Sequence, residues 1–301
     1  MRFNRIRWAG VAVGAAALLS AAPPALAQTA DPDRVNGAGR IMEPTKDNRP
    51  FNPRDFSGVW RGSLYSYGRT VPEMTPEGKK RFEANKPSRG IDADNPLART
   101  ATNIDIGRRR SIPPALGNDP IGQCNPLGLI RALLFSGGGA RMEVGAMKDK
   151  IIQLFEWTWD HREIWTDGRK IPQVDDYLPR WMGYSVGHWD GDTLVVETTG
   201  FDERQWVDHF GYPMSSGAKL EERWRRINYS TLEINMTLTD PATYRTPYKS
   251  DPNRYLLIEP KPGGDPWEAA LVEDKCVPLD EDEFNERAVK PAAGIGVPPP
   301  R

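Results

Sequence analysis

The chain has 301 residues, and its 40 basic and 41 acidic side chains give a net charge of −1. This balance excludes a general electrostatic attraction to nucleic acid, so we expect no nucleic-acid partner. The 28 glycines and 28 prolines indicate many turns, and the ten tryptophans are suited to filling a wide core or lining an apolar ligand site.

The N-terminus predicts a cleavable secretion signal over residues 1–27. Arginines precede the apolar run 8–22, and the small residues 25–27 (Ala-Leu-Ala) form a cleavage site before Gln28. The apolar run is too short for a convincing membrane anchor, and no other stretch is long enough to span a bilayer. We therefore expect a periplasmic or secreted protein without stable membrane insertion.

Composition divides the rest of the chain into three parts. Residues 28–54 are polar and rich in Pro, Asn and Asp, which predicts a flexible N-terminal arm. Residues 55–279 are the predicted β-barrel domain, and its first strand covers residues 56–62. The acidic and then Pro/Gly-rich residues 280–301 are predicted to form a loose tail.

A short helix is predicted over residues 75–85. Thr75 can cap its N-terminus, Pro76 suits the first helical position, and Glu77 complements the helix dipole. Residues 88–122 then form a long irregular stretch, which in a compact domain is usually functional or mobile.

Consecutive strands are predicted beyond residue 141. The pair 181–199 is the clearest, because the turn Asp190-Gly191-Asp192 joins two runs in which apolar and polar residues alternate. Further strands are predicted at residues 150–158, 162–166, 220–226, 232–239, 255–258 and 267–273. Such consecutive hairpins predict an all-β, antiparallel up-and-down barrel of about eight strands that holds a small-molecule cavity. A β-sandwich is the structural alternative.

The two cysteines, Cys124 and Cys276, can form a disulfide bond in an oxidising compartment. Two unpaired buried thiols are the alternative. A metal site at either cysteine is disfavoured, because neither has a neighbouring cysteine or histidine.

Several motifs resemble those of a known family. Gly58-Val59-Trp60 is similar to the Gly-x-Trp element on the first strand of lipocalins and other calycin-type barrels. The chain also resembles uncharacterised secreted bacterial proteins of lipocalin-like type, in segments that follow the same order. The matching segments are 55–60, 75–78, 118–120, 124–126, 164–169, 181–198, 222–223 and 240–241. The resemblance implies the barrel fold and assigns no activity to particular residues.

Four side chains are candidates for acid–base catalysis. Tyr184 and His188 share one face of a strand, and Glu197 lies on the returning strand. If these faces point inward, the three form a proton-transfer site in the cavity; if they point outward, they are solvated surface residues. His161 lies near a hairpin turn, where it is either an exposed turn residue or a general acid or base.

A second set of residues is predicted to bind a ligand. A carboxylate such as Glu222, paired with Arg162 or Arg169 inside the barrel, could orient a polar group of the ligand or could be a structural ion pair. Trp157, Trp165 and Trp181 belong either to the core or to an aromatic wall of the cavity.

The chain lacks the local signatures of a histidine metal site, a nucleophile elbow or a phosphate-binding loop, so we expect neither metal nor cofactor. The function favoured by these residues is a cofactor-independent lyase or isomerase acting on a small aromatic or hydrophobic compound. A formaldehyde-releasing lyase on lignin-derived aromatics is one example. The alternatives are a non-catalytic periplasmic carrier or sensor of hydrophobic molecules and, less favoured, a structural protein with a filled barrel.

Overall fold

The computed structural model describes residues 44–62, 72–87, 117–136, 141–173, 178–208, 210–250, 252–272, 275–277, 282–283 and 286–287. The predicted signal peptide, most of the predicted N-terminal arm, residues 88–116 and most of the C-terminal tail lie outside these ranges.

The part of the chain that the structure describes forms an all-β, lipocalin-like barrel and contains two short α-helices. The strands pair in chain order from β1 to β8, and β10 closes the barrel by pairing with both β1 and β8. The helices are α1 (Pro76–Ala84) and α2 (Leu129–Ser136). The strands are β1 (Gly58–Gly62), β2 (Arg141–Ala146), β3 (Lys150–Phe155), β4 (His161–Trp165), β5 (Tyr184–Asp190), β6 (Thr193–Thr199), β7 (Lys219–Asn228), β8 (Thr231–Thr239), β9 (Tyr248–Lys249) and β10 (Asn253–Leu257).

Nine strands form the closed barrel, and β9 adds a short pairing to the far half of β8. Closure matters because an open sheet would leave an edge of unpaired backbone groups, whereas a closed one satisfies them along its full circumference. The resemblance to calycin-type barrels is thus compatible with the observed architecture.

Side chains alternate between the interior and the exterior along the strands, as a two-residue repeat requires. On β7, Leu220, Glu222 and Trp224 are buried, whereas Glu221 and Arg223 are exposed. Trp60 and Trp224 are completely buried and are among the largest side chains of the core. Burial of each such ring contributes about 2–3 kcal/mol of hydrophobic stabilisation.

The three predicted hairpins are present. Strands β5 and β6 pair from Tyr184 with Thr199 to Asp190 with Thr193, so the turn between them consists of Gly191 and Asp192. Gly191 has a φ of 59°, a left-handed conformation that glycine adopts without steric cost. The pairs β3–β4 and β7–β8 are also antiparallel hairpins.

The predicted helix at residues 75–85 is α1. The Thr75 hydroxyl accepts a hydrogen bond from the Gly78 amide at 3.0 Å, and Pro76 occupies the first turn. Local capping chemistry therefore defined this helix correctly.

Helix α2 was not anticipated from the sequence. It is apolar almost all round, and residues from Leu129 to Leu134 are at most 4% exposed, as expected for a helix enclosed by the rest of the fold. Tyr255, on the inner face of β10, donates its hydroxyl to the Leu133 carbonyl at 2.9 Å. The helix thus occupies space on the inner side of the barrel that a ligand cavity could otherwise fill.

Two expectations about the strands were wrong. The predicted strand at residues 267–273 is absent from its described part: residues Pro266–Ala269 form a 3₁₀ turn, because Asp265 caps the Trp267 amide and Pro266 fixes the first turn. The barrel is also not strictly up-and-down, because β4 and β5 are parallel neighbours.

The predicted disulfide between Cys124 and Cys276 is present, with a sequence separation of 152 residues and a Cα–Cα distance of 5.3 Å. Cys276 lies beyond the strands, so the bridge joins two irregular segments. The C-terminal segment also contacts the barrel through Trp159, whose indole NH donates to the Val272 carbonyl at 3.1 Å, and through Glu156, which accepts from the Val272 amide.

Candidate functional site

A cleft opens where β4 and β5 separate. These two strands pair only through Ile164 with Ser185 and Trp165 with Val186, whereas β3 and β4 share five residue pairs. Toward the start of β4 the β4–β5 ladder ends, so His161 and Arg162 pair with β3 on one side and face a gap on the β5 side. The gap gives access from the outer surface of the sheet to the inner layer.

The outer wall of the cleft is the connection between β4 and β5. Parallel neighbours require such a crossover, and this one carries no regular secondary structure in the residues described, 166–173 and 178–183. Two side-chain hydrogen bonds from the barrel help to hold it: Thr199 donates its hydroxyl to the Pro172 carbonyl at 3.1 Å, and Tyr184 donates its phenol to the Leu178 carbonyl at 2.9 Å.

The cleft has a volume of about 620 Å³, which is within the usual range for small-molecule sites, about 300–1,000 Å³. Ile171, Pro172, Met182 and Val186 supply apolar surface. Among the described lining residues, cations dominate the polar surface: Arg162, Arg169, Lys170 and Arg180 stand against the single carboxylate of Glu163.

Arg162 is the innermost charged group of the cleft and is almost completely buried. Its guanidinium donates to both carboxylate oxygens of Glu222, at 2.7 and 2.9 Å, and to the Gln153 side-chain carbonyl at 2.7 Å. Trp224 also donates its indole NH to Glu222, at 3.1 Å. The ion pair is therefore held in one geometry by its neighbours, as a buried charge pair requires.

Two aromatic rings on the outer surface hold arginines in place. The Arg169 guanidinium lies 3.5 Å from the centroid of the Trp165 ring, and Arg169 also forms a salt bridge with Asp167 at 2.7 Å. The hydrogen bonds from Arg169 lower the pKa of Asp167, so that this pair stays charged. Arg180 lies 4.4 Å from the centroid of the Tyr184 ring. Such cation–π contacts fix the direction in which a guanidinium points.

His161 is the only histidine among the residues that line the cleft. It is exposed at the first position of β4, next to the partly buried Asp160. Burial raises the pKa of the Asp160 carboxyl, whereas the Thr158 hydroxyl at 2.6 Å and the charge of protonated His161 lower it. The two side chains are therefore electrostatically coupled, because a positive charge on His161 favours the ionised form of the Asp160 carboxyl.

The structure brings five of the candidate residues together in the cleft. Sequence placed them in two groups, one catalytic and one ligand-binding, but here they form a single lining. They are His161, Arg162, Trp165, Arg169 and Tyr184.

The other candidates lie elsewhere. His188 and Glu197 are exposed on the outer face, because on β5 and β6 Ser185, Gly187 and Val196 are the buried, inward positions. The inward orientation considered for the His188 and Glu197 faces is thus not the one observed. Three further candidates do not line the cleft, namely Glu222, Trp157 and Trp181. Glu222 is nevertheless connected to the cleft through its ion pair with Arg162.

Lys170, Arg180 and Glu163 line the cleft but were not singled out from the sequence. The sequence Asp167-Gly168-Arg169 is typical of a turn and marks the start of the crossover, but nothing local shows that the next strand runs parallel to β4. Lys170, Arg180 and Glu163 would have been candidates only if the connection had been recognised as a crossover between parallel strands.

Among the residues that the structure describes, no three His, Cys, Asp or Glu side chains converge in the way that metal ligands do. In the same ranges, no helix combines the length and hydropathy needed to cross a membrane.

Comparisons with known proteins found no similar protein. No family model matches the sequence, and neither the curated proteins nor the solved structures include one similar to it.

Proposed function

We propose that this protein is a cofactor-independent acid–base enzyme, a lyase or isomerase, whose substrate is a small aromatic or hydrophobic compound bound in the cleft between β4 and β5. The observation that carries the proposal is the position of His161 in the wall of a 620 Å³ cleft, beside the carboxyl group of Asp160. An imidazole that is accessible from the cleft can both accept and return a proton.

In this proposal His161 removes a proton from an acidic C–H or O–H group of the substrate. In a lyase the electron pair left behind forms a new π bond while the bond from the adjacent atom to the leaving fragment breaks. The fragment departs with the electron pair of that bond, and the imidazolium then gives its proton to the fragment. In an isomerase the new π bond forms as an existing π bond opens, and the imidazolium returns the proton to the far atom of the opened bond. Asp160 stabilises the imidazolium formed in the first step, because the two groups are electrostatically coupled. Proton transfer by a positioned side chain accelerates such reactions about 10²–10⁴-fold.

Apolar groups on both sides of the cleft support binding of the substrate's hydrophobic part. Pro172 and Ile171 come from the crossover, and Met182 and Val186 from the segment that leads into and includes β5. The catalytic role first considered for Tyr184 becomes a positioning role here, since its phenol already donates to Leu178.

The test compares two histidines that carry the same substitution. The wild type, His161→Gln and His188→Gln are incubated in D₂O with a panel of phenolic monomers and lignin-derived dimers. Deuterium incorporation and formaldehyde release are followed by NMR and mass spectrometry. We expect His161→Gln to lower exchange or turnover at least 100-fold, because glutamine keeps the polar contact but cannot titrate. His188→Gln should retain the wild-type rate, because His188 lies outside the cleft.

Loss of activity in His188→Gln with full activity in His161→Gln would show that the outer face of β5, and not the cleft, is the site. Ligand binding without exchange by any panel member would contradict the enzyme and favour the carrier. The apolar groups of the cleft would equally suit that second function.

We also propose that the chain is exported and belongs with the secreted lipocalin-like proteins that its motifs resemble. The disulfide between Cys124 and Cys276 supports this proposal, since such bonds persist in oxidising compartments. Fractionation of cells that produce the full chain, with N-terminal sequencing, should give a periplasmic or secreted protein that begins at Gln28. A cytoplasmic protein with an intact N-terminus would contradict it.

A further inference from the structure

The charges around the cleft do not cancel. Three of the charged lining residues already have partners of opposite sign: Arg162 pairs with Glu222, Arg169 with Asp167, and Glu163 with Lys150. Lys170 and Arg180 remain, and no ion pair joins either of them to a residue that the structure describes. Among the residues that the structure describes, the mouth of the cleft therefore carries an excess of about two positive charges.

Arg180 is held in position by its backbone as well as by its side chain. Its amide donates to the Gly200 carbonyl at 2.9 Å, and its residue forms a parallel bridge with Phe201. Its guanidinium is exposed but rests against the Tyr184 ring at 4.4 Å. A cation that is already ordered loses little conformational entropy when it binds an anion. A guanidinium also matches the two oxygens of a carboxylate.

Lys170 also lies in the crossover, lines the same cleft as this arginine and is exposed. Its long side chain can approach a bound anion without displacing an existing ion pair. Because the apolar lining residues, among them Pro172 and Met182, belong to the same cleft, the lining has two parts: a hydrophobic surface and a cationic rim.

We propose that the cleft selects an aromatic acid, in which the ring lies against the apolar surface and the carboxylate is bound by Arg180 and Lys170. This inference rests on the proposed function in one respect: both place the ligand in this cleft. It adds a substrate class: molecules with one carboxylate are bound in preference to neutral molecules of the same shape, whether or not the protein is catalytic.

The experiment uses matched pairs of probes that differ only in charge. Benzoate, 4-hydroxycinnamate and biphenyl-4-carboxylate are each compared with their methyl ester by isothermal titration calorimetry on the full mature protein, in 20 and 200 mM NaCl. We expect at least one acid to bind about tenfold or more tightly than its ester. The advantage should shrink at the higher salt concentration, because the rim is solvent-exposed.

Charge-removing variants then assign the preference to residues. Arg180→Gln should weaken binding of the acid about tenfold and that of the ester less than twofold, and Lys170→Gln should weaken binding of the acid about threefold. Arg223→Gln is the matched control, because Arg223 is also an exposed arginine but lies outside the cleft and pairs with Asp190. Lys170 lies in an irregular exposed segment, so its variant tests the rim even if Arg180→Gln fails to fold.

Equal affinity for acids and esters would overturn this inference while leaving the proposed function standing. Failure of every acid to bind would overturn it as well. An acid preference that Arg180→Gln and Lys170→Gln leave unchanged would place the anion elsewhere. Conversely, an acid preference without proton exchange would retain the inference and reject the enzyme.

Discussion

At the scale of single residues, the most consequential feature is the buried pair of Arg162 and Glu222. Both side chains are at most 1% exposed, and they come from positions 60 residues apart. Removing two charges from water is costly, and only close bidentate contact with further hydrogen bonds offsets that cost. Gln153 and Trp224 supply those bonds, so the inner end of the cleft is polar but rigid.

We therefore predict that Glu222→Gln lowers the free energy of unfolding by about 3–5 kcal/mol, because it leaves Arg162 buried without a counter-charge. The double variant Arg162→Met/Glu222→Leu should recover more than half of that loss, because it removes both charges. Urea denaturation of the single and double variants measures this. Asp190→Asn, which breaks the exposed pair with Arg223, is the control and should cost less than about 1 kcal/mol. Additive losses in the double variant would contradict the coupling.

At the scale of elements, the surroundings of Asp208, which include Arg131 of the buried helix α2, give this carboxyl group an unusual pKa. Asp208 is 2% exposed and accepts hydrogen bonds from the Phe210 and Tyr212 amides, at 2.8 and 3.3 Å. Burial raises its pKa to about 7, although these bonds and the charge of Arg131 in α2 act in the opposite direction.

This shift makes stability depend on pH in a defined direction. Because the folded state holds the Asp208 proton more tightly than the unfolded state, stability is greatest below the unfolded pKa and is lost as pH rises through the folded pKa near 7. Asp208→Asn keeps the accepting oxygen and cannot ionise. Between pH 5 and pH 8 we expect the wild type to lose about 2–3 kcal/mol relative to Asp208→Asn. Denaturation of both proteins at the two pH values measures the difference, and parallel pH profiles would contradict it.

At the scale of the whole molecule, the disulfide connects Cys124, just before α2, to the C-terminal segment beyond the barrel. It closes a loop that contains almost all of the barrel. In the chain-entropy model, a cross-link across so long a loop restricts the unfolded chain strongly.

We predict that Cys124→Ser/Cys276→Ser lowers the free energy of unfolding by about 2–5 kcal/mol. The fold should persist, because hydrogen bonds from Trp159 and to Glu156 also hold the C-terminal segment. Urea denaturation with and without a reducing agent measures the loss. The reductant should destabilise the wild type and leave the double variant unchanged; an equal response of both proteins would show that the bridge is not the cause.

Local chemistry explains the predictions that succeeded. The cap at Thr75 defined α1, and the alternation around Gly191 defined the β5–β6 hairpin. The strand predicted at residues 267–273 was wrong, because the Asp265 cap and Pro266 favour a 3₁₀ turn over extended backbone. Among the residues that line the cleft, His161 and Tyr184 had been singled out by residue type. Arg180 and Lys170 had not, because their place in the lining depends on the crossover between β4 and β5.

The sequence by itself determined the all-β class, the main hairpins, the capped helix and a pair of cysteines able to form a bridge. All of these follow from interactions between residues close in the chain or from residue chemistry. Only the tertiary structure decided which strand faces became the interior, because that depends on closure of β10 against β8 and on the space that α2 fills. It also decided where the cleft lies, since the parallel register of β4 and β5 arises from the packing of the whole sheet and leaves no local pattern in the sequence.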